Sequence, residues 1–206
     1  MIKRLLLIAL TSLSFSAYAD LKGAIANYHS QNYAAALPEL QSLASAGDKY
    51  AQSLLGFMYD IGQGVPQDYK EALKWYRLAA DQGNADAQGN LGFMYHKGQG
   101  VPQDYKEALK WFRLAADRGN AVAQYNLGIM YEYGKGGVSS SKVVAYALYN
   151  YSASLGYVEA VNKRNKLLGS MSSSQINAGQ NLSRELAKKG SFLNALDQYL
   201  KNLAMK

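Results

Sequence analysis

The 206-residue chain holds two histidines, His29 and His96, and no cysteine. The histidines stand in different stretches, and neither has a second one three or four residues away, the spacing that turns two imidazoles toward one metal from a helix face. Two glycine triplets, Gly62-Gln63-Gly64 and Gly98-Gln99-Gly100, could in principle cradle a phosphate. Each follows a helical pattern rather than a strand, so the triplets read as turns. The serine run Ser139-Ser140-Ser141 has no Gly-x-Ser-x-Gly elbow around it and no identifiable base. No catalytic residue, cofactor or metal site is expected. What remains is binding chemistry. Lys70, Lys74 and Arg77 fall at i, i+4 and i+7, and Lys106, Lys110 and Arg113 reproduce them, so helices would carry a basic band able to meet an anionic envelope polymer or an acidic protein. Against this stands an ordinary solvated face, partly neutralised by Asp81 and Asp117.

These residues recur because the chain repeats itself. Tyr59 returns as Tyr95 and Tyr131, and Trp75 as Trp111, a period of 36 residues. A fixed period of this size means stacked supersecondary units rather than one globular core. Ala51, Leu55, Met58 and Tyr59 recur at spacings of three and four, as do Ala72, Trp75, Tyr76 and Ala79, so each unit holds two amphipathic helices. Asp68 with Glu71, Asp104 with Glu107, and Ser172 with Gln175 are spaced as capping boxes. Gly83, Gly119 and Gly156 follow the second helices, where a left-handed residue stops the helix. Trp75, Tyr59 and their repeats are expected to fill the spaces between layers. The expected organisation is a shortened first unit over 21–50, full repeats over about 51–86, 87–122 and 123–159, and capping helices over 160–206, together forming one array from residue 20. The last segment carries Phe192, Leu196, Tyr199, Leu200 and Leu203 on one stripe and reads as a lid over the last repeat.

Residues 1–19 have a separate reading. Lys3 and Arg4 precede an apolar run from Leu5 to Ser16, and Ala17-Tyr18-Ala19 fits a cleavage site, so a signal peptide is expected, with a mature chain from Asp20. The run is too short to span a bilayer, and no transmembrane segment is expected after cleavage. Loss of Lys3 and Arg4 lowers the net charge from +7 to +5. A mildly basic exported chain is not a nucleic-acid binder on this reading. The expected location is the periplasm, or outside the cell, without a disulfide framework.

The pattern Ala-x-x-x-Leu-Gly-x-x-Tyr-x-x-Gly-x-Gly-Val-x-x-Asp-x-x-x-Ala-x-x-Trp-[Tyr or Phe]-x-x-Ala-Ala-x-x-Gly resembles the Sel-1-like repeat family, relatives of the tetratricopeptide repeats, over roughly Leu21 to Lys189. The resemblance implies an all-α, right-handed superhelical solenoid of helix-turn-helix repeats serving as an interaction scaffold in exported bacterial proteins. Family roles include envelope regulation, host-cell contact and neutralising secreted toxins. One branch binds penicillin or weakly hydrolyses β-lactams, but it carries a cysteine pair in each repeat, and none is present here. The expected function is therefore a non-catalytic scaffold or adaptor that binds another protein, with an immunity-type inhibitor of a secreted toxin as one form. A host-interaction protein and a weak hydrolase of a β-lactam or cell-wall fragment are the alternatives.

Of 36 positions aligned from Ala51 and Ala87, seven differ: Ser53/Gly89, Leu54/Asn90, Asp60/His96, Ile61/Lys97, Tyr76/Phe112, Gln82/Arg118 and Asp86/Val122. Four lie on the first helix, which lines the concave side of related arrays, and residues at i, i+4 and i+7 or i+8 share a face. The candidate partner surface is thus Ser53, Phe57, Asp60 and Ile61, then Gly89, Phe93, His96 and Lys97, then Tyr125, Ile129, Glu132 and Tyr133.

Overall fold

A computed structural model of the chain describes residues 20–188, 190 and 192–205. The expected signal peptide, 1–19, lies outside the described residues. Within them all regular structure is helical: α1 (20–29), α2 (Tyr33–Ser45), α3 (Lys49–Ile61), α4 (Tyr69–Asp81), α5 (Ala85–Lys97), α6 (Tyr105–Asp117), α7 (Ala121–Tyr133), α8 (Lys142–Ser154), α9 (Val158–Leu168), α10 (Ser173–Leu186) and α11 (Phe192–Ala204). Two compact units result, one closing at Asn84 and holding α1–α4, the other opening at Ala85 and holding α5–α11. In each, the period of 36 residues appears as helix pairs: α3 packs on α4, α5 on α6 and α7 on α8. Among the described residues no helix is long and apolar enough to cross a membrane.

Glycine makes each pair close. Gly56, Gly92 and Gly128, on the first helices, face the rings of Tyr76, Phe112 and Tyr149 on the second. A Cβ at these glycines would lie 2.8, 2.7 and 2.6 Å from the nearest ring carbon, inside van der Waals contact. All three rings are fully buried. The ring that fills the pair is therefore the residue after the tryptophan position. Trp75 itself is half-buried at the edge of the first unit's core, and Leu148 takes that position in the third repeat.

The expected capping boxes form only in part. Asp68 accepts from Lys70 N and Glu71 N, and Asp104 accepts from Lys106 N and Glu107 N. The reciprocal bond is absent because the cap's own N–H is engaged: Asp68 N donates to Tyr59 O and Asp104 N to Tyr95 O, both at 2.9 Å. Ser141 N donates to Tyr131 O at 2.8 Å in the same way. Each cap thus ties the second helix back to the end of the first. Glu71 and Glu107 turn instead to Lys74 and Lys110. Ser172 and Gln175 form the complete box.

A buried glutamine joins α3, and another joins α7, to the turn before it. Gln52 donates to Ala44 O at 3.0 Å and accepts from Gln82 at 2.8 Å. Gln124 donates to Ala116 O at 3.3 Å, but its Oε1 is buried with no donor, since Leu155 stands where Gln82 stands in the first full repeat. Leu155 is exposed, so little apolar burial is lost on replacing it. Leu155→Gln is expected to raise stability by about 1 kcal/mol, read as a higher Tm in thermal denaturation, because it supplies a partner to a buried orphan acceptor.

The C-terminal helix does more than cover the last repeat. It packs on α10 and reaches back to α6. Phe192 and Leu196 are buried, Asp197 meets Arg113 at 2.6 Å, and Leu193 N donates to Asp117 at 3.3 Å.

Candidate interaction surface

The twelve residues expected to form a binding face divide by their place in the helix turn. Phe57 and Ile61 on α3, Phe93 and Lys97 on α5, and Tyr133 on α7 are exposed. Ser53, Gly89, Tyr125 and Ile129 are half-buried. The remaining position, Asp60, His96 and Glu132, turns inward. Tyr76 OH donates to Asp60 at 3.3 Å and Tyr149 OH to Glu132 at 2.6 Å. The i+3 residue counted from Phe57, Phe93 or Ile129 leans toward the second helix, while the i+4 residue points outward. These inward groups therefore do structural work, and the solvent-facing set is smaller than the wheel implies.

In the second unit this face carries a network. Glu132 takes the Tyr149 hydroxyl and also the Lys163 ammonium at 3.7 Å, and Lys163 lies 3.5 Å from the Tyr133 hydroxyl and over its ring. Burial, and then the Glu132 carboxylate, push the Tyr149 hydroxyl far above its ordinary range. For Lys163 burial, the largest single influence, pulls downward, but Glu132 together with the Tyr133 and Tyr125 hydroxyls outweighs it and the ammonium is held above its ordinary value. The Tyr125 ring packs between Tyr149, to which it is tilted, and Tyr157, which it meets edge-on, with centroids at 5.5 and 5.2 Å. The Lys97 ammonium lies over the Phe93 ring. A groove of about 250 Å³ runs between α5 and α7, lined by Asp86, Gly89, Asn90, Phe93, Asn120, Val122 and Asn126. Asn90, Asn126, Val122, Tyr157 and Lys163 are not legible as surface residues from the wheel; the exchanges Leu54/Asn90 and Asp86/Val122 are the available signal, since an apolar residue trading with a polar one marks a position that need not be in the core.

The basic band fares differently. Lys70, Lys74 and Arg77 on α4, and Lys106 and Lys110 on α6, are exposed. Arg113 is not open: α11 covers it and Asp197 binds it, while Asp117 serves the α11 backbone. Lys74 and Lys110 pair with glutamates on their own helices. Among the described residues no cluster of three histidine, aspartate or glutamate side chains could hold a metal.

Repeated helix pairs closed by glycine-to-ring contacts, with aromatic residues left outside on the first helices, define an α-helical repeat scaffold. The Sel1 repeat pattern matches residues 49–84, 85–120 and 121–157. The chain belongs to the Sel1 repeat family. The matched boundaries fall two residues before those read from the periodicity, because α3, α5 and α7 begin at Lys49, Ala85 and Ala121. Among solved structures, the chain is similar to a Sel1 repeat protein from Oxalobacter formigenes, at 33% identity and TM-score 0.64 over 70% of this chain and 59% of that one. It is also similar to c5321, a protective antigen present in uropathogenic Escherichia coli strains that displays an SLR fold, at 34% identity and TM-score 0.68 over 97% of this chain. The chain spans only 41% of c5321. No curated protein matches the chain.

Proposed function

We propose that the protein is a non-catalytic adaptor that binds another protein through the first-helix face of α5 and α7, and that it acts outside the cytoplasm, in the periplasm or beyond. The carrying observation is the set of large apolar side chains left exposed there: Phe93 at 39%, Val122 at 45% and Tyr133 at 57%. Aromatic side chains with amides and one cation between them are what a protein contact uses, and such residues supply most of its energy. Likeness to an antigen of uropathogenic strains favours an envelope or host-contact role for this chain, with toxin neutralisation the rival outcome.

The test uses residues that are exposed, not the inward His96 and Glu132. Combining Phe93→Ala, Lys97→Glu and Tyr133→Ala is expected to lower partner capture at least tenfold in pull-downs from envelope extracts, a loss of about 1.4 kcal/mol or more. The Tm should stay within a few degrees. Loss of capture on Lys106→Glu with Lys110→Glu, and none on the triple variant, would return the band to first place. A partner encoded as a secreted toxin would select the immunity reading.

A further inference from the structure

The middle repeat differs from its neighbours by a paired exchange. Where Tyr76 meets Asp60 and Tyr149 meets Glu132, the second repeat has Phe112 and His96, so hydroxyl and carboxylate are lost together. Losing only the hydroxyl would leave an inward carboxylate without its donor, which is costly. The histidine gains nothing in exchange. Both its ring nitrogens are closed off from solvent and have no hydrogen-bond partner. Its ring stands edge-on to Tyr105 at the start of α6, centroids 5.3 Å apart.

The charges around it oppose a third. Lys97 follows it on α5, and Lys135, on the segment after α7, lies 4.6 Å from the Tyr105 ring centroid and 3.4 Å from its hydroxyl. The acids of the neighbouring elements are occupied: Asp104 caps α6, Glu107 pairs with Lys110, and Glu132 holds Tyr149 and Lys163. A proton taken by Nδ1 or Nε2 would create an imidazolium with neither water nor anion beside it.

We propose that the α5–α6 pair is an acid-sensitive element: His96 sits uncharged inside it at neutral pH, and its protonation drives the ring out to water and loosens the end of the pair formed by the 98–104 loop and Tyr105. This holds whichever partner the surface takes. Burial first, then Lys135 and Lys97, hold the folded His96 below its ordinary value of 6.5. The open state therefore binds more protons than the closed one. Stability from this group is complete above that ordinary value and is lost as pH falls through it toward the lower folded value.

Native-state hydrogen exchange on the full chain at pH 7.5 and pH 5.0, corrected for intrinsic rates, tests the proposal. Amides from His96 to Glu107 are expected to lose at least tenfold more protection in acid than the corresponding amides of α7 and α8. His96→Asp with Phe112→Tyr, which installs the pair of the other repeats, should abolish that excess. His96→Phe, which keeps a ring but cannot titrate, should abolish it too and covers the case in which the double variant misfolds. Equal acid loss in both pairs of the wild type, or an excess that survives in His96→Phe, would overturn the proposal.

Discussion

Alanine at Gly92 is expected to lower stability by about 1–3 kcal/mol, the cost of forcing a methyl group into a packed core. The added Cβ would lie 2.7 Å from the Phe112 ring, which is fully buried. Helix propensity alone predicts the reverse, because alanine is favoured over glycine by about 1 kcal/mol in a helix interior. The sign of the measured change therefore decides whether close approach or propensity governs this position. Chemical denaturation of Gly92→Ala, Phe112→Leu and the double variant gives a cycle. If the clash is the cause, the narrower leucine relieves it and the double variant loses less than the two singles together. Additive losses would place the cost elsewhere.

Leu196→Ala should cost about 2–5 kcal/mol, the range for emptying a buried leucine site. Leu196 is fully buried on α11, whose seat is made by α10 and by α6. If α11 is integral to the second unit, the loss appears in a single cooperative transition and exchange protection on α6 falls with it. A frayed α11 would show a small loss confined to its own amides. Arg113→Ala should cost far less than Leu196→Ala, since the Asp197 side chain is about half exposed and the pair is partly screened.

How far the sequence reveals this structure depends on whether a feature repeats. The helix pairs, the caps at Asp68 and Asp104 and the glycine stops recur every 36 residues, and recurrence separates them from chance. The close approach at Gly56 hid in the same pattern, because spacing names a small residue without saying what presses on it. A helical wheel places Asp60, His96 and Glu132 beside Phe57, Phe93 and Ile129, and so on the surface. Only the neighbouring helix determines which side of that arc is covered. Two of the seven positions where the copies differ, Asp60/His96 and Tyr76/Phe112, then prove to be one contact, invisible until the helices are paired. The α11 seat was out of reach for another reason. Arg113 and Asp197 lie 84 residues apart, and no local pattern links them.

The central claim, that partners meet the first-helix face, is most directly tested by site-specific photo-cross-linking in cells. A photoreactive residue would replace Phe93, Tyr133 or, on the second helix, Lys110. The account predicts a discrete protein adduct from Phe93 and Tyr133 and none from Lys110. Adducts that form at Lys110 and are missing from both first-helix positions would contradict it.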